Sequence, residues 1–323
     1  MGTVVTGRPP MAGVAEGPAR FDELKLSARV FFANKTAVAG LVIFLVFVGD
    51  ALLVQIAPGV LGVSDPNSVI PPELQANLEN CSGTPPEAPS FGHPFGTTQY
   101  PGLSGIGCID LLQLTMKAIR IDIAISFFIV LVGAAIGTLI GVVSGYFGRW
   151  IDEVVMRVTD VFFSVPFLIL ALAVGFVIGR TLFNMALALI IIWWPLYARY
   201  GRSLTLTTKE ATFIESARAA GSGRLKIMFR HILPNVVPPV LVQISLDVGT
   251  VILIFSTLAF IGFLPSNALV PELGVIANIG LDLAPFGYWW TVIVPGAVIT
   301  LFALAVNLMG DGLRDVIDPR RRS

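Results

Sequence analysis

Apolar residues in this chain are gathered into long unbroken runs, with the polar positions confined to the connections between them. Six runs stand out: Thr36–Ala57, Ile121–Tyr146, Val161–Gly179, Leu182–Tyr200, Val236–Gly262 and Trp289–Gly310. Each has about the 20 residues that carry an α-helix across roughly 30 Å of hydrocarbon. The pattern predicts an all-α membrane protein with six transmembrane helices, an even number that leaves both termini on one side. It divides the chain into an N-terminal segment 1–35, a first span 36–57, a hydrophilic connection 58–118, a five-helix core 119–310 interrupted by a polar loop 202–234, and a tail 311–323.

Composition agrees with lipid as the solvent. Hydrophobic residues make up 55% and charged residues 13%, and the mean hydropathy is +0.82, outside the range of soluble domains. Net charge is zero, so the balance points to no nucleic-acid partner, and the placement of the charges carries the information. Basic residues crowd the N-terminal segment (Arg20, Lys25, Arg29, Lys35), the second connection (Arg149, Arg157), the fourth (Arg199, Arg202, Lys209, Arg218, Arg224, Lys226, Arg230) and the tail (Arg314, Arg320, Arg321, Arg322). The opposite face has Lys117, Arg120 and Arg180. Short loops rich in Lys and Arg stay cytoplasmic, which predicts both termini inside. Residues 1–20 have no apolar core of a cleaved leader, so the first span is expected to be retained. Residues 21–35 alternate apolar and charged positions, as suits either an interfacial helix or a juxtamembrane linker.

The connection 58–118 falls outside by this topology and contains the two cysteines, Cys81 and Cys108. In an oxidising compartment they form either a disulfide or two separate thiols. In the second span Gly133, Gly137, Gly141 and Gly145 recur every four residues, a smooth stripe that allows close helix–helix approach in lipid or, alternatively, a flexible helix. Ionisable residues inside spans are expensive. Asp247, one turn from Gln243, forms a polar face that suits either a water-filled pathway or a hydrogen-bonded helix contact, whereas Asp50 and Asp122 are expected near the outer membrane surface.

The loop 202–234 is the most distinctive segment. Lys209–Gly221 reads as a short helix broken by Gly221-Ser222-Gly223; an amphipathic turn Arg224–Arg230 follows, and Pro234 is expected to end it before the fifth span. The prediction is a helix–turn–helix knuckle outside the membrane. Glu215-Ser216-Ala217-Arg218, then Gly221, then Leu233-Pro234 twelve and thirteen residues later, resembles the EAA loop of ATP-binding-cassette (ABC) importer permeases, with Ser216 in place of the usual Ala. His93-Pro94-Phe95-Gly96-Thr97, Gly145-Tyr146-Phe147-Gly148, Asp152–Arg157, Asp160 and Asn307–Asp315 extend the resemblance to the oligopeptide and dipeptide branch, C-type subunit. After Gly96-Thr97 the outer loop departs from the branch's usual short Gly-Arg-Asp continuation.

The resemblance implies a type I importer permease fold and a peptide importer, with oligosaccharides as the alternative cargo and nickel carriers in the same branch. It also implies a homologous B-type permease subunit, two ABC ATPase subunits that bind ATP and Mg, an extracytoplasmic solute-binding protein, and an ATPase-coupling role for Glu215 to Gly221 with Leu233 and Pro234. No G-x-x-x-x-G-K-[ST] loop occurs, and none of the five lysines lies in that register, so ATP is expected to be handled by another chain and no catalytic residue or cofactor site is assigned to this one. No metal site is assigned either, since His93 and His231 fall on opposite sides of the membrane and the two cysteines lack a close ligand pair. A secondary transporter using Asp50, Asp122 and Asp247 is the competing class but does not account for the knuckle; a membrane scaffold or signalling protein without transport, a third, leaves the polar helix face unexplained.

Overall fold

The computed structural model describes residues 28–61, 63, 85–99, 109–264 and 271–317. Residues 1–27, including the first part of the segment 21–35, and both Cys81 and Cys108 lie outside the described residues.

After a helical stretch at 28–33, α1 runs Lys35–Ile56, started by the Asn34 side chain, which accepts from the Thr36 and Ala37 amides. A two-residue hairpin follows, β1 (Thr97–Thr98) antiparallel to β2 (Ile109–Asp110). Helix α2 runs Leu111–Phe147, capped by Asp110, which accepts from Leu112 and Gln113. It therefore begins ten residues before the apolar run at Ile121, so the connection expected over 58–118 ends earlier. The Asp110 cap starts the helix about three turns before that run.

The third span is not the straight helix expected over Val161–Gly179. It is α3 (Arg149–Ser164) and α4 (Phe167–Ile178), bent by 96°. Pro166 is the cause: it drives Val165 into extended backbone (φ −105, ψ 135) and ends α3. Helix α5 is Leu182–Thr208 and α6 Thr212–Ala219; α7 is Arg224–Ile227, α8 Leu233–Phe260, α9 Leu273–Leu283 and α10 Trp290–Ile317.

Pro234 does not end a helix. Helix α7, a π turn over Met228–Ile232 and α8 form one continuous run Arg224–Phe260. The Leu233 amide reaches back to Met228 O, and Pro234, whose missing N–H would interrupt an ordinary ladder, sits just after this widened turn. Arg202 lies inside α5, so the polar loop narrows to the residues between Thr208 and Arg224. Among the described residues, five helices are long and apolar enough to cross a membrane, six when α3 and α4 count as one bent span.

The core lies where α2, α5, α8 and α10 meet, with Ile129, Met185, Tyr197, Val248, Phe255 and Phe302 almost wholly buried. Helix α1 flanks α10: a Cβ on Gly40 would come within 2.7 Å of Ala305 O. Asn34 Nδ2 lies 3.3 Å from Asp315 Oδ2, placing the start of α1 and the end of α10 at the same end of the bundle.

Candidate functional site

The candidate site is the connection between α5 and α7. At its root, Asp152 on α3 accepts from Arg202 on α5 through both carboxylate oxygens, at 2.5 and 2.6 Å, and from Ser144 Oγ on α2 at 2.6 Å. Lys209 Nζ donates to Gly145 O at 3.1 Å. Three helix ends are thus tied together beneath the loop. A fork-to-carboxylate pair fixes orientation as well as distance. Arg199 repeats the link one layer deeper, bonding Asp160 and Thr159 and lying over the Phe163 ring.

From this base α6 projects as a short helix. Ile214 is completely buried beneath it, while Glu215, Ser216 and Arg218 are exposed and Ala217 is half-buried. Ser216 Oγ bonds back to Thr212 O, so its hydroxyl is satisfied within the helix. The end of α6 is a Schellman cap: Ser222 N–H donates to Ala217 O and Gly221 N–H to Arg218 O. Gly221 has φ +77 with open space around it, so a side chain there is opposed by backbone conformation and not by crowding. Among the described residues, the Glu215 side chain makes no hydrogen bond or ion pair within the chain, only its amide donating to Ala211 O. Leu233 is half-buried and Pro234 exposed at the start of α8, above Ile227, Met228 and Ile232, which anchor the run in the core. The geometry is that of a rigid knob whose charged face is left for another surface. It brings together no nucleophile and base.

The four glycines of α2 lie against α5. A Cβ on Gly137 would strike Trp194 O and one on Gly141 would strike Ala198 O; on Gly145 it would lie 3.0 Å from Arg202 O, and on Gly133 3.3 Å from the Trp193 Cβ. The close approach runs straight to Arg202, so the same stripe that packs the helices also seats the base of the knob.

Gln243 Nε2 donates to Asp247 Oδ1 at 2.9 Å, and Asp247 is only 6% exposed. Trp193 and Tyr197 of α5 face the same carboxylate, although the indole N–H and the hydroxyl stop short of full hydrogen-bond geometry. Within this chain the pair lies in a helix–helix contact.

Asp122 is completely buried within the protein: its Oδ2 accepts the Leu273 amide at 3.1 Å, 151 residues away. Beside it, Glu272 caps α9 by accepting from Val275 N–H at 2.7 Å. Glu272 is fully buried, and burial pushes its carboxyl up to about 7. Sequence reasoning missed Glu272 and the Asp152–Arg202 pair. Glu is not a usual cap residue, and the distance to Asp122 along the chain hides the contact. On the other side of the bundle, His93 Nδ1 lies 2.8 Å from Asp110 Oδ2, and Trp290 Nε1 donates to Thr97 O, so the His93–Thr97 motif clamps the start of α2.

The family described as binding-protein-dependent transport system inner membrane component matches residues 137–323, which include α5, the knob, α8 and α10. A dipeptide transport system permease protein of Alkalihalophilus pseudofirmus is 33% identical over 90% of this chain and 88% of its own length. A probable D,D-dipeptide transport system permease protein of Escherichia coli K12 is 34% identical over 93% of both chains. A glutathione transport system permease protein of Pectobacterium atrosepticum is 38% identical over 73% of this chain and 76% of its own.

Proposed function

Because the chain belongs to the family of binding-protein-dependent transport system inner membrane components, a group of non-catalytic membrane permeases of ABC importers, we propose that it forms half of the passage through which an importer moves peptides. It is a multi-pass protein of the cell membrane. In this reading a homologous B-type permease completes the passage, an extracytoplasmic solute-binding protein delivers the cargo, and two ABC ATPases, which bind the ATP and Mg, dock on the knob from the cytoplasm.

The observation that carries the docking role is α6 itself. Its exposed Glu215 and Arg218 stand on a buried Ile214 and a Schellman cap, over a base bonded to three helices. Movement of a rigid element is transmitted to what it is fixed to, so closure of the ATPases would be passed through Arg202 and Asp152 into α5 and α3. Such coupling requires that the ATPases contact the knob differently in their two states. The relatives' cargoes, dipeptide, D,D-dipeptide and glutathione, are all peptides, which favours a peptide over an oligosaccharide.

The test is Gly221→Asp in the assembled importer. We expect the chain to stay in the membrane with its permease partner, the ATPases to copurify weakly, and uptake of a labelled dipeptide to be lost. Normal uptake by that variant would refute the docking role. Peptide binding by the cognate solute-binding protein, with no binding of oligosaccharides, checks the cargo separately.

A further inference from the structure

Beside the knob, a cavity of about 660 Å³ opens between the end of α2, the start of α3 and the α6–α7 turn. Its volume lies within the roughly 300–1,000 Å³ of ordinary small-ligand sites. Arg149, Arg218 and Arg224 all line it, with Ser222 and Trp150. Among the described residues none of the three arginines has a carboxylate within ion-pairing distance, and the nearby Asp152 is engaged by Arg202. Three exposed arginines on one concave space make a positive field that attracts an anion. Arg149 is also the one described non-glycine residue with positive φ, +53, directly after Gly148 at +62. A backbone held in that region is unfavourable for an L side chain, and the turn it makes brings Arg149 to the cavity.

We propose that this cavity binds the phosphodiester headgroup of an anionic phospholipid, held by the three arginines. Planar guanidinium groups match phosphate oxygens two at a time. The lipid source is favoured over free phosphate by what adjoins the arginines. Trp150 is 71% exposed at the cavity edge, and the exposed Val154 and Val161 continue along α3. A tryptophan with an outward apolar lane beside charged residues is what a helix at the membrane–water boundary presents, and such a lane would take the acyl chains. A bound headgroup would tie the start of α3 to the root of α7, stiffening the knob. The proposal does not depend on the cargo or on the docking role.

The test uses the full-length chain purified in detergent, with thermal unfolding read on adding phosphatidylglycerol, phosphatidylcholine or inorganic phosphate. We expect phosphatidylglycerol to raise Tm by several degrees and the other two to leave it nearly unchanged. The shift should largely vanish in the double variant Arg149→Gln/Arg224→Gln and persist in Arg157→Gln, an exposed arginine on the same helix but away from the cavity. An undiminished shift in the double variant, an equal loss in Arg157→Gln, or a full shift with inorganic phosphate alone would overturn the proposal. A photoactivatable phosphatidylglycerol needs no variant: it should label the peptide containing Trp150, and labelling confined to other segments would also overturn it.

Discussion

At residue scale, Gly141 and Gly133 belong to one stripe but do different work. A Cβ on Gly141 meets the backbone oxygen of Ala198, which cannot move without displacing α5, whereas on Gly133 it meets a Trp193 side-chain carbon at 3.3 Å. Gly141→Ala should therefore cost about 1–3 kcal/mol, the usual range for overpacking, and lower the Tm of the purified chain. Gly133→Ala should be close to neutral, because improved helix propensity offsets the tighter contact by up to about 1 kcal/mol. Equal losses in the two variants would contradict this picture.

Glu272 carries the pH dependence. Its carboxyl is raised from an ordinary 4.5 to about 7 by burial, so the folded state holds its proton more tightly than the unfolded state does. The contribution to stability is complete below about 4.5 and is lost as pH rises through about 7. Nearby Asp122, buried on α2, accepts the Leu273 amide beside it. Tm is expected to fall from pH 5 to pH 8 in the wild-type chain. In Glu272→Gln, which keeps an oxygen for the Val275 amide, the slope should be shallower. An identical slope in the two proteins would assign the effect to other groups.

At the scale of the element, α6 depends on a single buried contact and a cap. Eight residues are too few to hold a helix in water by propensity, so Ile214 and the turn at Gly221 must supply its order. Ile214→Asp should release α6 while leaving the spans intact. Hydrogen exchange between Thr208 and Arg224 should rise strongly, with little change in protection of α2 or α8. Unchanged exchange there would mean the knob is held by something else.

Elements also show where sequence patterns lose their force. Runs of apolar residues placed the spans because burial in lipid demands length and little else. The same runs said nothing of the 96° break at Pro166 or of α9. Pro166 breaks its helix while Pro195, Pro238, Pro239 and Pro295 lie inside theirs. The difference depends on neighbours that absorb the missing hydrogen bond. At Pro234 the π turn does so, which turned an expected stop into part of a continuous run.

The whole molecule has two chemically distinct ends. One gathers the knob, the Arg202–Asp152 base, and the start of α1 beside the end of α10; the other has the His93–Asp110 clamp. Arg180 also belongs to that second end, donating to the carbonyls of Gly262 and Phe263 after α8. Segregated Lys and Arg predict the first end in the cytoplasm. In a chain with Cys81 and Cys108 replaced by Ser, a membrane-impermeant maleimide should reach Ser90→Cys in intact cells and Ser222→Cys only after the membrane is opened. The reverse pattern would invert the topology.

The sequence by itself determined the membrane class, the approximate spans, the glycine stripe and the knob, because each rests on short-range regularities: run length, a four-residue period, the spacing from Glu215 to Pro234. Only the tertiary structure decided that Asp122 is buried against α9, that Asp247 lies within a helix contact, and that Arg149, Arg218 and Arg224 share one cavity. Those facts depend on which residues far apart in the chain come into contact. Packing in three dimensions sets such contacts, and no local pattern of hydrophobic and polar positions encodes them.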